Sequence, residues 1–107
     1  MDIINRIIRN HKIIEVAGEI DHYQIDIFKK AVYELADSDA NSIIIDLKNV
    51  TFIDSSGIGV LVSGYKKIAA RRGHFGLLNV GNDIYALLKL STIDKVIPIY
   101  NSEEDLD

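Results

Sequence analysis

The sequence predicts an α/β fold: one compact domain over residues 1–107, built on a mostly parallel sheet with an N-terminal hairpin and about three main helices. Three observations predict it. Two isoleucine- and valine-rich runs open the chain with a short polar break between them. Amphipathic segments then alternate with short apolar runs. One of those runs, around Ile43-Ile44-Ile45, is too apolar for a half-exposed strand and suits a central parallel strand covered on both faces.

Each element follows in order. Ile3 to Ile8 and Lys12 to Ala17 read as a β-hairpin turning at Arg9-Asn10-His11, with Gly18 ending the second strand. Asp21-His22-Tyr23-Gln24 resembles a capping box, and Ile25, Phe28, Val32 and Leu35 follow at helical spacing, so a first helix is expected over roughly 22–37. Residues 37–41 form a loop. Ser42 to Leu47 is the central strand, and Lys48-Asn49-Val50 link it to a turn. A second helix over roughly 56–72 aligns Ile58, Leu61, Val62, Tyr65, Ile68 and Ala69; Gly73 is placed as its left-handed C′ residue. Lys66, Lys67, Arg71 and Arg72 load the end of that helix, where the macrodipole favours cations, and read as a solvated surface. Phe75 to Val80 is a fourth strand. Asn82 caps a third helix that turns Ile84, Leu87 and Leu88 inward. Val96 to Tyr100 is a last strand, held to an edge by Pro98. Residues 101–107 read as a loosely held acidic tail. Right-handed crossovers are expected; the order of strands does not follow from the pattern.

Bulk properties exclude several functions. A formal net charge of -4 argues against a nucleic-acid binder that relies on general electrostatics. The absence of cysteine removes disulfides and thiolate metal sites. The sequence starts without a signal-peptide pattern, and no apolar run approaches the ~18 residues of a membrane span, so a cytoplasmic, soluble monomer is expected. No metal and no cofactor are expected.

The chemistry-bearing stretch is Thr51-Phe52-Ile53-Asp54-Ser55-Ser56-Gly57-Ile58-Gly59-Val60, which lies between the buried strand and the second helix. A helix N-terminus with free N–H groups favours an anion such as a phosphoryl group. One of Ser55 and Ser56 can serve as the helix cap, but a cap does not account for both hydroxyls. Two glycines in a first helical turn cost roughly 1 kcal/mol each relative to alanine; they bare the surface around Ser55 for another molecule's approach, with close helix–sheet packing the rival explanation for one of the two. Ile53-Asp54-Ser55-Ser56-Gly57 is not the Gly-x-Ser-x-Gly of a hydrolase elbow, and no lysine follows to make a phosphate-binding loop. Of the three histidines only His22 falls near the turn, so an enzyme is not expected. Weak nucleotide binding at the helix start stays open. Because the loops after the second and third strands open at the same sheet edge, Glu19, Asp21, Asp54 and Ser55 can share one acidic patch. Asp21 and Asp54 have structural uses as well, at the starts of the two helices.

Ile45-Asp46-Leu47 leading into Phe52-Ile53-Asp54-Ser55-Ser56-Gly57-Ile58-Gly59-Val60 resembles the signature of the STAS domain, in particular of the anti-sigma factor antagonists. Gly18-Glu19-Ile20-Asp21 is similar to that family's segment before its first helix, and Leu90 to Val96 runs in the same manner. The resemblance implies a regulatory switch. An unmodified antagonist binds an anti-sigma factor that is also a serine kinase; phosphorylation of the first serine of the turn, here Ser55, ends the complex, and a phosphatase restores it. By the same resemblance Glu19, Asp21, Asp54, Ser55, Ser56, Gly57, Ile58 and Gly59 belong to the partner-binding surface. The alternative it leaves is a non-switching scaffold, or a subunit of a stress-signalling or lipid-transport assembly.

Overall fold

The computed structural model describes all 107 residues. Its elements are β1 (Asp2–Ile8), β2 (His11–Ile20), α1 (Ile25–Ala36), β3 (Ser42–Ile53), α2 (Ser55–Ala69), β4 (His74–Leu78), α3 (Asn82–Leu90) and β5 (Ile99–Tyr100), with short 3₁₀ turns at 93–95 and 103–105. The sheet order is β1-β2-β3-β4-β5; β1 and β2 are antiparallel and every other pair is parallel. Each crossover therefore advances one strand in the same direction. Right-handed connections then place α1, α2 and α3 on one face of the sheet. The main core fills that interface, where Ile14, Val16, Ile43 and Ile45 of the sheet meet Phe28, Val32, Leu61 and Ile68 of the helices.

The central position of β3 holds, but its two covers differ. Ile43, Ile45 and Leu47 face the helices. Ile44 belongs to a smaller cluster on the far face with Ile13, Leu78 and Leu106. Beside it Asp46, only 3% exposed, is satisfied by the Lys48 N–H, the Asn79 amide and the Arg6 guanidinium. Arg6 also pairs with Glu15 at 2.8 Å and with Glu103 at 2.9 Å. A carboxylate buried in the central strand is tolerable because each oxygen has a partner.

Several boundaries move for identifiable reasons. Gly18 does not end β2: it takes φ +109°, shifts the register against β3, and the strand continues to Ile20. Residues 48–53 pair with that extension, so β3 runs on to Ile53 rather than ending at Leu47. The capping box is absent. Asp21 Oδ1 accepts from the N–H groups of Tyr23 and Gln24 in a turn that precedes α1, and Gln24 Oε1 accepts from the Met1 amine. The first helix consequently starts at Ile25, with Gln24 as its cap residue. At the end of α2 the left-handed residue is Arg72, at φ 62°, and not Gly73. Gly73 is needed for space: a Cβ there would meet Ile68 Cγ2 at 2.7 Å and the Asn41 carbonyl at 3.1 Å. Gly81, without a side-chain bond, precedes α3 where Asn82 was expected to cap. The last strand shrinks to Ile99–Tyr100 because the N–H groups of Val96 and Ile97 bond back to the Ile93 carbonyl, both at 2.9 Å.

Two surface expectations are corrected. Arg71 is not a free helix end; its guanidinium donates to the carbonyls of Ala36 and, at 2.6 Å, Ala40, tying α2 to the end of α1. Residues 101–107 are not loose. Leu106 is 4% exposed, and Arg9 donates to its carbonyl at 2.9 Å.

Candidate functional site

The site forms where β2 and β3 end. These neighbouring parallel strands deliver two loops to one edge of the sheet. The Asp54 N–H donates to the Ile20 carbonyl at 3.1 Å, and the His22 N–H donates to Asp54 Oδ2 at 2.9 Å. Glu19, Asp21, Asp54 and Ser55 are thereby brought to the same edge, as the sheet reading anticipates. Glu19 is exposed opposite Phe52 in the register. The Asp21 carboxylate is half-buried and turned back onto its own loop.

Asp54 is the cap of α2. Its extended backbone lets Oδ1 accept from the N–H groups of Ser56 at 3.0 Å and Gly57 at 3.2 Å. The same oxygen accepts the Ser56 hydroxyl at 2.5 Å. The Ser56 hydroxyl, and after it the N–H groups of Gly57, His22 and Ser56, hold the Asp54 carboxyl below its usual range. This corrects two expectations. Neither serine is the helix cap. The Ser56 and Gly57 N–H groups that would greet an anion already serve Asp54, which weakens this turn as a nucleotide cradle.

The division of labour leaves one hydroxyl over. Ser56 is held internally, whereas Ser55 is exposed at the first position of α2 and its hydroxyl has no partner within the chain. The two glycines divide similarly. A Cβ on Gly57 would meet Ile53 Cγ1 at 2.6 Å and Ile20 Cγ2 at 2.7 Å, so this glycine lets the helix start press onto the sheet edge. A Cβ on Gly59 would meet nothing within 4 Å; its bareness opens the surface beside Ser55. Ile58 is half-buried and packs toward the core.

A family model described as the STAS domain matches residues 2–106. The chain belongs to the STAS domain family. The anti-sigma F factor antagonist of Paenibacillus polymyxa is 34% identical over 92 residues, which is 85% of this chain and 79% of that protein. The anti-sigma-B factor antagonist of Listeria monocytogenes is 30% identical over 98 residues, covering 92% and 86%. The solved structure of an anti-sigma factor antagonist from Mycobacterium paratuberculosis superposes with a TM-score of 0.88 at 25% identity, over 97% of this chain and 88% of that one.

The sequence reading passed over two side chains at this edge of the STAS domain. Tyr23 is 86% exposed and stacks on His22 with ring centroids 4.2 Å apart; Phe52, next to the turn, is 49% exposed. One ring stands on the loop after β2 and the other at the end of β3, and exposed aromatic rings are the residue type enriched at protein interfaces. The signal for Phe52 was its alternation with buried Ile53 in β3. For Tyr23 there was none, since a loop has no periodicity.

Proposed function

We propose that this chain is an anti-sigma factor antagonist. Its unmodified form binds an anti-sigma factor with serine kinase activity and so frees a sigma factor; phosphorylation of Ser55 ends the binding. The observation that carries this reading is the single unpaired, exposed hydroxyl of Ser55 beside the bare surface of Gly59. The names of the relatives, anti-sigma F and anti-sigma-B factor antagonists, support the partner class. The docking surface comprises Glu19, Asp21, Asp54 and the start of α2, with Tyr23 and Phe52 as apolar anchors.

In the transfer, the Ser55 oxygen bonds to the γ-phosphorus of ATP, the bond to the ADP oxygen breaks, and the serine proton passes to a base of the kinase. Because the Ser55 hydroxyl makes no internal bond, the domain does not depend on it. The phosphoserine adds about −1.5 to −2 charge next to an Asp54 already held ionised. Charge and bulk then fall on the docking surface, where each 1.4 kcal/mol lost weakens binding about tenfold. A serine phosphatase acting on phospho-Ser55 resets the switch, and exchange with an ATP-dependent kinase places it in the cytoplasm.

The test is incubation with the anti-sigma factor and ATP, followed by mass spectrometric mapping and binding assays. Phosphate on Ser55, tight binding by Ser55→Ala that ATP cannot reverse, and weak binding by Ser55→Asp support the reading. Phosphate on Ser56 or Thr51 relocates the site. No phosphate together with no anti-sigma partner points to a constitutive scaffold.

A further inference from the structure

Residues 101–107 cross the face of the sheet away from the helices and finish at the amino edge of the parallel strands, the end opposite Ser55. Leu106 seats on Ile13, Ile44 and Leu78, one residue each from β2, β3 and β4 and each fully buried. The other anchors come from the hairpin. Arg9 Nη1 donates to the carbonyls of Leu106 at 2.9 Å and Glu103 at 3.4 Å, His11 Nε2 lies 3.0 Å from the Asp107 carbonyl, and Arg6 pairs with Glu103. No backbone hydrogen bond joins this segment to the sheet; its own bonds are local, Asp105 N–H to Ser102 and Leu106 N–H to Glu103. The segment is therefore a ligand of the sheet in all but connectivity, held by one apolar plug and by side chains.

Charge and backbone geometry agree. The segment carries Glu103, Glu104, Asp105 and Asp107, and the hairpin turns Arg6, Arg9 and His11 toward it, Arg6 being shared with Glu15 and Asp46 of the sheet. Arg9 holds φ 52° in a two-residue turn where glycine or asparagine fits with less strain. An arginine kept there against its backbone preference puts its guanidinium on the strap.

We propose that this face of the sheet is a recognition seat for acidic protein segments that carry a leucine between carboxylates, filled in cis by residues 101–107 acting as a displaceable strap. The occupant in cis defines the chemistry of an occupant in trans. A partner segment of that type competes with the strap and docks at the far end of the strands from Ser55.

The probe is a fluorescent peptide with the sequence of residues 101–107, titrated against the full chain and against full-length Leu106→Asp, which ejects the plug. The variant should keep its circular dichroism and bind the peptide about tenfold or more tightly than the unaltered chain. Adding Arg9→Ala, or replacing the peptide leucine by alanine, should remove about tenfold, and salt should weaken binding. A folded variant that binds no better than the unaltered chain overturns the proposal, as does one that dimerises without binding peptide. Native-state hydrogen exchange on the unaltered chain decides the matter if Leu106→Asp does not fold. Exchange of the Asp105 and Leu106 amides by a local, denaturant-insensitive opening supports a strap; exchange only through global unfolding shows a fixed part of the core. Neither assay involves Ser55.

Discussion

At the residue scale the turn works by assigning different tasks to adjacent small groups. Asp54 caps, Ser56 steadies the cap, Gly57 packs, and Ser55 and Gly59 are left facing outward. The glycines provide a direct contrast. Gly57→Ala should lower stability by about 1–2 kcal/mol in urea unfolding, because overpacking against Ile20 and Ile53 outweighs the gain in helix propensity. Gly59→Ala should raise stability by up to about 1 kcal/mol while weakening partner binding. The depressed Asp54 carboxyl adds a pH signature. Its folded value lies below its unfolded one, so its contribution is complete above the ordinary carboxylate range and disappears as pH falls through that range to the folded value. Acid unfolding of Asp54→Asn, followed by circular dichroism, should show less loss of stability on acidification than the unaltered chain.

Elements depend on contacts that a local pattern carries unevenly. Arg71 joins the ends of two helices through the Ala36 and Ala40 carbonyls. Arg71→Ala should lower stability by about 1 kcal/mol in denaturant titration and speed amide exchange in the last turn of α1. Sequence pattern located α1, α2 and α3 because each buries one stripe, and β3 because its isoleucines are continuous. It failed where a tertiary partner decides. Residues 48–53 extend β3 only because β2 continues past the bulge at Gly18. Asp21 reads as a helix cap, yet closes a turn before the helix. The acidic composition of 101–107 suggests a solvated tail; its one leucine, seated on the sheet, and an arginine 97 positions away hold it down. At the site, the placement of Ser55 beside an edge shared with Glu19 and Asp21 was legible from strand–helix alternation. Which of Asp54, Ser55 and Ser56 caps the helix was not, since Asp and Ser both cap well.

Across the whole molecule, parallel strands separate two surfaces. Their carboxyl edge presents Ser55; their amino edge holds the strap above His11, Ser42 and His74. His74 Nε2 lies 2.9 Å from the Tyr100 hydroxyl, and burial, followed by the neighbouring His11, pushes its pKa down despite Asp107. The unfolded chain therefore holds the His74 proton more tightly. Stability from this group is constant above the ordinary histidine value and falls as pH drops below it. Urea midpoints measured from about pH 7.5 to about pH 5 should decline less for His74→Gln than for the unaltered chain.

The most direct measurement is the affinity of the anti-sigma factor for the chain before and after stoichiometric phosphorylation of Ser55, with the fold checked by circular dichroism. The account predicts an unchanged spectrum and binding weakened by about a hundredfold or more. Equal affinity for the two forms, or a spectrum that collapses on phosphorylation, would contradict it.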